Sequence, residues 1–394
     1  MQQFDWITLL LLLGIVGIGL VTLLHSTALP YAEDASGWAG ILERLQPGTM
    51  QKQLMWVATG LVLMCAAIAL DYDIIARFAS VIYWTCMVLL VAVLIFGSAT
   101  HGTKGWFVIG SQKMQPSEFA KLGMIIALAK VLAQHKGPIT RFSDLLPALF
   151  YFALPFLLVL MQGDLGTAIV FVAILIGDLF MAQVSGKLLA VMFGVSAAAI
   201  PPVWMYFLKD YQKERITSFM NPEQLVDLDA TAASKHLSES KIAVGSGQLT
   251  GKGIFSEATR SQLDFLSVKT SDFAFAAAAE AIGFLGCFAL IAMYALLCLR
   301  CLYMATQAKD KFGSLIIVGF VTMILFHVLE NIGMCIGIMP ITGIPLPFFS
   351  YGGSSMWASM IGLGLVLNVS MRRNKTLYRG QGRGSAAYDP NLEE

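Results

Sequence analysis

The chain has 394 residues, of which 57% are hydrophobic and only 13% are charged, with a formal net charge of +1. A soluble domain cannot bury that much apolar surface in one core, and the mean hydropathy of +0.72 points the same way. The small net charge gives no support to a nucleic-acid role, and the sequence contains no recognised nucleic-acid-binding module. The composition therefore predicts an integral membrane protein.

Apolar stretches recur along almost the whole chain. A helix needs ~20 residues to cross the ~30 Å hydrocarbon layer of a bilayer, and ten stretches fit this requirement. The run from Phe150 to Leu160 is apolar on every side, which favours helices over the alternating strands of a barrel. The sequence predicts an all-α polytopic membrane protein with ten transmembrane helices, at approximately 7–29, 53–70, 78–96, 117–133, 146–161, 165–182, 188–207, 273–299, 312–337 and 352–370.

The distribution of Lys and Arg predicts the orientation of these helices. Thirteen of the 26 lie in the short loops and tail on the side of both termini, whereas four lie in the short loops on the other side. Cytoplasmic loops carry the excess of basic residues, so both termini are predicted to be cytoplasmic. The six cysteines lie inside or at the ends of predicted helices and indicate neither a disulfide framework nor a zinc site.

One hydrophilic segment is much longer than the others. Residues 208–272 form a predicted extracytoplasmic loop between the seventh and eighth helices, and its spaced apolar residues favour short amphipathic helices at the membrane surface. Within it, the glycine-rich segment 245–253 departs from a Walker A pattern and is predicted to be a flexible turn. We predict one transmembrane domain, 1–374, which includes this loop, and a flexible cytoplasmic tail, 375–394.

Ionisable side chains within membrane spans are costly and are therefore candidate functional residues. Glu118 and Lys121 lie one turn apart at the start of the fourth helix, within reach of each other. A capped helix with a local ion pair explains them about as well as a functional site does. Trp106 and Lys113 precede them at the same outer boundary, and this combination favours a site for a lipid headgroup or a phosphate.

Two further segments near the outer boundary carry polar residues. Asp164 lies in the short hairpin between the fifth and sixth helices, where capping of the sixth helix is a better explanation than catalysis. Residues 339–355 contain three prolines and three glycines, so this segment is not a regular helix throughout. Irregular backbone at membrane depth is buried in protein or lines a cavity, and we predict that this segment, with Ser350 and Tyr351, lines a wet cavity.

Two carboxylates stand at the start of the eighth helix. Asp272 follows Ser271 at the helix boundary, where an N-cap is the ordinary explanation. Glu280 lies eight residues further along, well inside the apolar segment, where a carboxylate without a partner would be costly. It therefore requires Lys, Arg or a hydrogen-bond network from another helix.

Five spaced segments resemble, in order, the signatures of the SEDS family, whose RodA and FtsW members are ten-helix peptidoglycan glycosyltransferases. The segment from Ser261 to Leu266 is more similar to the RodA version than to the FtsW version, whereas the residues just before Asp272 lack the Glu and His that are usual there. The five segments are Gln115-Pro-Ser-Glu-Phe-Ala-Lys121, Gln162-Gly-Asp-Leu-Gly-Thr167, Lys241-Ile-Ala-Val-Gly-Ser-Gly247, Thr270-Ser-Asp-Phe-Ala-Phe275 with Ala279-Glu280, and Pro345-Leu-Pro-Phe-Phe-Ser-Tyr-Gly-Gly-Ser354.

The resemblance implies an activity and roles for individual residues. It implies polymerisation of lipid II on the outer face of the bacterial cytoplasmic membrane during cell elongation, with a class B penicillin-binding protein as partner. Asp272 matches the catalytic aspartate of the family and is expected to be the general base for the acceptor sugar hydroxyl. Residues that match the family's functional cavity are Trp106, Glu118, Lys121 and Glu280.

The lipid-diphosphate leaving group needs cationic assistance. It is expected from Lys121, Lys113 or Arg215, or from a divalent cation, Mg²⁺ or Mn²⁺. Two other function classes stay open. A lipid II flippase would better explain Glu330, deep in the ninth helix, and a non-catalytic scaffold for the transpeptidase would tolerate substitutions in the cavity. Within the family, a division-specific FtsW-like polymerase is the alternative to the elongation enzyme.

Overall fold

A computed structural model describes residues 4–27, 47–100, 103–110, 112–135, 137–207, 210–220, 232–254, 259, 261 and 268–372. The predicted tail, 375–394, lies outside the described residues, as do parts of the loop 208–272.

Helices dominate the described chain, with one small sheet between the third and fourth of them. The sheet has the strand order β1-β2-β3 with both pairs antiparallel, and its strands are β1 (Ser98–Thr100), β2 (Thr103–Ile109) and β3 (Gln112–Met114). A π-helical turn at Val203–Phe207 follows α7. The helices are α1 (Trp6–Thr27), α2 (Pro47–Ala69), α3 (Tyr72–Phe96), α4 (Pro116–Ala133), α5 (Phe142–Met161), α6 (Leu165–Met181), α7 (Gly186–Pro202), α8 (Asp210–Met220), α9 (Ala232–Ser246), α10 (Ala274–Thr306), α11 (Lys311–Ile336) and α12 (Gly353–Met371).

The helices have the lengths and compositions of an all-α, multi-span membrane protein. Eight candidate spans are long and apolar enough to cross a bilayer, and they fall on α1, α2, α3, α5, α7, α10, α11 and α12. The other two predicted spans also form helices. Of these, α4 carries Glu118, Lys121 and Lys130, and α6 has only 17 residues. The count of ten spans and the orientation stay predictions.

The sequence pattern predicts only helices, yet β1, β2 and β3 form a small sheet. Trp106 of β2 pairs with Ser98, and Val108 pairs with Lys113 of β3. Aromatic and β-branched residues such as those of β2 suit a pleated strand, but a run this short is difficult to recognise beside long apolar helices. The sheet lies directly before α4 and therefore adjoins the start of that helix.

Two helices form the centre of the bundle. Among the eight candidate spans, α11 and α12 are the most deeply buried, whereas none of the side chains described in α7 is buried. Asn368 of α12 donates from its side-chain amide to the carbonyl oxygens of Ala67 and Leu70, each at 2.7 Å. These bonds satisfy carbonyl groups that the end of α2 leaves without helical partners. The other spans are thus arranged around α11 and α12.

The described part of the long loop contains two helices, α8 and α9. Leu237 and Ala243 of α9 are buried, and the hydroxyl of Ser240 donates to the carbonyl oxygen of Cys335 at 2.9 Å. The apolar face of α9 therefore packs against α10 and α11 instead of lying on the membrane surface as predicted. An amphipathic helix can bury the same face against protein or lipid, and its sequence does not distinguish the two.

Helix α10 is interrupted at Gly283, whose φ of 66° lies in the left-handed region that favours glycine. The interruption leaves the carbonyl groups of Glu280 and Ala281 in need of donors outside the helix. Their oxygens accept hydrogen bonds from the backbone N–H groups of Lys252, at 2.9 Å, and Gly253, at 3.1 Å. The long loop therefore completes the hydrogen bonding of this membrane helix.

The glycine-rich segment 245–253 is packed against the same part of α10. A Cβ on Gly247 would clash with the carbonyl oxygen of Ala279, so the approach needs glycine. The backbone N–H of Phe284 donates back to the carbonyl oxygen of Gln248 at 2.8 Å. The predicted turn is present at residues 247–250, and close packing and backbone hydrogen bonds hold it against the bundle.

Candidate active site

Asp272 lies two residues before the first residue of α10, and its side chain is half-exposed. Its Oδ1 accepts a hydrogen bond from the hydroxyl of Ser271 at 3.0 Å. Its Oδ2 lies beside Gly343, where an added Cβ would be 3.2 Å away. The N-cap residue of α10 is Phe273, so the N-cap explanation of Asp272 is wrong.

Asn331 of α11 holds the backbone of Asp272. Its side-chain amide donates to the carbonyl oxygen of Asp272 at 2.8 Å and to that of Ile344 at 2.7 Å. Asn331 is fully buried, so these bonds are protected from water. One side chain thus joins the start of α10 to the irregular segment that precedes α12.

That irregular segment also holds the residues just before Asp272. The hydroxyl of Ser350 donates to the carbonyl oxygen of Ser271 at 2.7 Å, and the backbone N–H of Tyr351 donates to that of Thr270 at 2.9 Å. The ring of Tyr351 packs on Trp56 of α2 with centroids 4.8 Å apart. Ser350 is buried, so its observed role is to fix the backbone at this site.

Glu280 is fully buried inside α10, and both of its carboxylate oxygens have partners. Oε1 pairs with Nζ of Lys252 at 2.9 Å, and the hydroxyl of Ser246 lies 3.4 Å from the same oxygen. Oε2 accepts from the backbone N–H of Ser261 at 3.0 Å and from its hydroxyl at 2.9 Å. The predicted need for a cationic and hydrogen-bonding partner is confirmed, but Lys252 and Ser261 belong to the long loop and not to another span.

Glu118 and Lys121 form a buried ion pair in the first turns of α4. Nζ of Lys121 lies 2.8 Å from Oε1 of Glu118, and the side chains are 1% and 5% exposed. A third side chain, His327 of α11, places its Nε2 2.9 Å from the same Nζ. Burial to this extent distinguishes the group from a solvated surface pair, which would contribute little to stability.

Asp164 caps α6, as the sequence predicts. Its Oδ1 accepts from the backbone N–H of Thr167 at 3.0 Å, and its Oδ2 accepts from the hydroxyl of Thr167 at 2.8 Å. The side-chain amide of Gln115 also donates to Oδ2 at 3.0 Å, and the backbone N–H of Gln115 donates to Ser354 Oγ at 2.9 Å. Desolvation raises the pKa of Asp164, and the bonds from Thr167 oppose this shift.

The starts of α4, α6 and α12 therefore meet near the segment beside Asp272. Gly166, two residues after Asp164, lies so close to that segment that a Cβ would be 3.0 Å from the carbonyl oxygen of Thr342. Gly343, which follows Thr342 in the chain, lies beside the carboxylate of Asp272. The elements that carry most of the predicted site residues thus converge at one end of the bundle.

Three predicted site residues lie outside this buried convergence. Trp106 is half-buried on β2, and Lys113 is exposed on β3, whereas Glu118 and Lys121 are buried. The predicted cluster of four residues is therefore divided into an exposed hairpin and a buried pair. Arg215 belongs to α8, but its side chain lies outside the described residues.

Sequence reasoning missed several polar partners. His327 and Asn331 are four residues apart on the ninth predicted span, so they lie on one face of α11 between its apolar residues. This spacing of two polar residues within an apolar span is a sequence signal for a polar helix face. Lys252 was considered only as part of a loop, and nothing in its local sequence indicates that it pairs with a residue 28 positions later.

The described residues contain no group of three or more His, Cys, Asp or Glu side chains arranged to hold a metal ion. Mg²⁺ is commonly held by one or two carboxylates together with substrate phosphates. A half-exposed carboxylate such as Asp272 fits that second arrangement.

Several known proteins with similar sequences are named as peptidoglycan glycosyltransferases. The chain is 36% identical over 326 residues to the peptidoglycan glycosyltransferase MrdB of Escherichia coli (strain K12), covering 83% of this chain and 86% of that protein. It is 34% identical over 325 residues to stage V sporulation protein E of Bacillus subtilis (strain 168), covering 81% and 86%. It is 29% identical to the peptidoglycan glycosyltransferase RodA of Treponema pallidum (strain Nichols), covering 94% and 98%.

Solved structures have the same fold. The structure described as "Structural coordination of polymerization and crosslinking by a peptidoglycan synthase complex" matches with a TM-score of 0.75 and 30% identity, covering 94% of this chain and 99% of that chain. The crystal structure of the Thermus thermophilus rod shape determining protein RodA matches with a TM-score of 0.67 and 28% identity, covering 94% and 98%. A family model of FtsW, RodA and SpoVE, described as "Cell cycle protein", matches residues 5–375. The chain therefore belongs to the FtsW, RodA and SpoVE family.

Proposed function

We propose that this chain is a peptidoglycan glycosyltransferase that polymerises lipid II into glycan strands on the outer face of the bacterial cytoplasmic membrane during cell elongation. Relatives named peptidoglycan glycosyltransferase MrdB and RodA support the activity and the elongation role. The observation that carries the proposal is Asp272, a half-exposed carboxylate at the mouth of α10 whose backbone is fixed by Asn331 and bounded by Ser350 and Tyr351.

In the proposed reaction, Asp272 is the general base. It accepts the proton of the acceptor sugar 4-hydroxyl while that oxygen forms a bond to the anomeric carbon of the donor. The bond between the anomeric carbon and the lipid diphosphate breaks, and its electron pair leaves with the diphosphate. One glycosidic bond forms, one carbon–oxygen bond breaks, and the proton ends on Asp272.

The departing diphosphate carries negative charge, which cationic side chains at the site would stabilise. Lys113 is exposed on β3, where it can meet a substrate headgroup directly. Lys121 is buried beside Glu118, so its charge acts across the protein interior, where screening is weaker than in water. Trp106 offers an aromatic surface on the neighbouring strand, and Arg215 of α8 is a further candidate.

A divalent cation, Mg²⁺ or Mn²⁺, is the proposed alternative to these side chains as the positive charge beside the substrate diphosphate. Such an ion would neutralise the charge that develops on the leaving group. Removal of metal with EDTA followed by addition of Mg²⁺ or Mn²⁺ tests this point, with polymer formation as the measurement. Equal polymer formation with and without chelator would remove the cation from the proposal.

A class B penicillin-binding protein is the proposed partner, and the cytoplasmic membrane is the proposed location. The similar structure that is described as a peptidoglycan synthase complex coordinating polymerization and crosslinking supports a transpeptidase partner. Co-purification of the full chain with such a transpeptidase from detergent-solubilised membranes is the direct test of the partnership.

The second candidate function, a lipid II flippase, is favoured by one observation. Glu330 is 5% exposed in the interior of α11 and lies beside the side chain of Thr342. A carboxylate at such depth is frequent in transport pathways. In this structure, however, it adjoins the segment next to Asp272 and can serve that site.

One experiment separates the two functions. Full-length protein in vesicles is supplied with labelled lipid II, and both polymer and translocated lipid are measured for the parent chain and Asp272→Asn. The enzyme predicts polymer from the parent chain only, whereas the flippase predicts translocation without polymer from both. Asp144→Asn is the matched control, because Ser143 donates to Asp144 Oδ1 at 3.2 Å much as Ser271 does to Asp272, but at the start of α5.

A further inference from the structure

His327 lies on a face of α11 that touches both parts of the candidate site. Its Nε2 is 2.9 Å from Nζ of Lys121 on α4. Asn331, one turn further along α11, donates to the carbonyl oxygen of Asp272 at 2.8 Å. Residues four apart lie on the same helix face, so one rigid element holds both the buried cation and the backbone of the proposed base.

The contacts of His327 determine which of its ring nitrogens carries the proton. Nδ1 lies 2.7 Å from the carbonyl oxygen of Met323, and only an N–H group can donate to that oxygen. In the neutral ring, Nε2 then has a lone pair and accepts a hydrogen bond from the ammonium group of Lys121. His327 therefore acts on Lys121 as a neutral acceptor.

The ammonium group of Lys121 depends on this acceptor because it is isolated from water. It has three N–H groups, of which one is accepted by Glu118 at 2.8 Å and one by His327 at 2.9 Å. Lys121 and His327 are each 1% exposed and Glu118 is 4% exposed. Water therefore has little access to replace a lost acceptor, and a long side chain released from one of two partners gains alternative rotamers.

We propose that His327 is a positioning residue that fixes the ammonium group of Lys121 relative to Asp272. It acts through Lys121 and not on the substrate itself. This inference rests on the proposed function and deepens it, because it assigns α11 as the element that sets the distance between the base and the buried cation. Asn331 holds the base end of that spacing, and His327 holds the cation end.

Two substitutions at His327 separate positioning from packing. His327→Leu keeps an apolar volume but removes the acceptor, whereas His327→Gln can place its amide oxygen near the former Nε2 position. For lipid II polymerisation by the full chain, His327→Leu is expected to lower kcat by about 30-fold with KM within about twofold, as for a group acting in the transition state. His327→Gln is expected to recover activity to within about fivefold of the parent chain.

A double-mutant cycle with Lys121 tests whether His327 acts through that residue. Lys121→Met and His327→Leu are made singly and together, and initial rates and thermal unfolding are measured for each. The double variant is expected to be no slower than Lys121→Met alone, because residues that act as a unit are non-additive. His135→Leu, near the opposite end of α4 from Lys121, is the matched histidine control and is expected to leave the rate unchanged.

The outcomes distinguish this inference from the function on which it rests. The positioning role would be overturned if the rate loss of the double variant equalled the product of the two single losses. It would also be overturned if His327→Gln were as slow as His327→Leu. Parent activity in His327→Leu would overturn it as well, while a dead Asp272→Asn in the same assay would leave the proposed function intact. A parent chain that forms no polymer would overturn both.

Discussion

Asp272 and Glu280 lie eight residues apart at the same end of α10, yet their surroundings differ. Glu280 is fully buried, and both of its carboxylate oxygens receive hydrogen bonds, from Lys252 and Ser261. Asp272 is half-exposed, and Asn331 binds its backbone carbonyl group instead of its carboxylate. Glu280 is thus held by its side chain, whereas Asp272 is held by its main chain and by the hydroxyl of Ser271, which donates to its Oδ1.

This difference indicates what each carboxylate can do. A carboxylate whose oxygens are both satisfied by buried donors is stabilised as a charge and stays in place. A carboxylate whose backbone is fixed while its side chain stays accessible can meet a substrate proton at a defined position. This difference supports the proposal that Asp272 carries out the chemistry of the site and that Glu280 supports its structure.

The largest expected effect is the loss of activity in Asp272→Asn. An amide cannot accept the proton, so polymerisation should fall by at least about 100-fold, the range for loss of a general base. Because Asp272 is half-exposed and its backbone contacts are retained, the thermal unfolding midpoint should stay within about 2 °C. A variant that loses activity only because it unfolds would place Asp272 in the same structural class as Glu280.

The next largest effect is on stability and should differ between the partners of the Glu280 ion pair. Lys252→Met leaves a fully buried carboxylate without its cation and should cost about 3 kcal/mol of unfolding free energy. Glu280→Gln should cost less, about 1–2 kcal/mol, because the side chain of Lys252 is 30% exposed and can turn to water. Thermal or denaturant unfolding in detergent gives both values. A larger loss of unfolding free energy for Glu280→Gln than for Lys252→Met would contradict this prediction.

A third carboxylate, Asp178 of α6, sharpens the comparison because its main chain is held within a helix while its side chain lacks the support that Glu280 has. It is fully buried beside Gly319, and neither carboxylate oxygen has a hydrogen-bond partner among the described residues. Asp178→Val should therefore raise the unfolding free energy by about 1–2 kcal/mol, whereas Asp178→Asn, which keeps a polar group, should gain less. A clear loss of stability in Asp178→Val would reveal a favourable interaction of this carboxylate.

The smallest expected effect is a pH dependence at Asp164, in the turn before α6. Its pKa is raised by desolvation, so the folded state binds the proton more tightly than the unfolded chain does. Stability from this group is therefore present at low pH and falls as the pH rises from its ordinary pKa through the raised value. Unfolding midpoints of the parent chain and Asp164→Asn, compared at about pH 4 and about pH 7, should show the parent gaining relative to the variant in acid.

The starts of the fourth and sixth spans were predicted well because their signals are local. The fourth span was predicted to begin at residue 117 and the sixth at residue 165, and the helices begin at Pro116 and Leu165. A proline in the first turn and an aspartate cap fix these starts through neighbouring residues. Asp272 shows the limit of such reasoning, because its position after Ser271 suggested a cap that the structure does not form.

The end of the eighth span and several side-chain partners were predicted less well because they depend on distant residues. The eighth span was predicted to end at 299, but α10 continues to Thr306. Arg300 lies inside α10, and its charge is paired at 2.6 Å with Asp5, the residue just before α1. The same limitation hid the contact between Lys121 and His327, which are 206 residues apart. The local sequence shows that a buried charged side chain needs a partner, but it does not show where in the chain that partner lies.

The interruption of α10 has a consequence for how the chain assembles. The donors that complete it, the N–H groups of Lys252 and Gly253, lie before α10 in the sequence and are therefore synthesised first. When α10 leaves the ribosome, the segment that donates to its free carbonyl groups has already been synthesised and only has to remain nearby. An insertion placed between that segment and Gly283 would lengthen the connection, so we expect biogenesis of the membrane domain to respond to changes in what is formally a connecting loop.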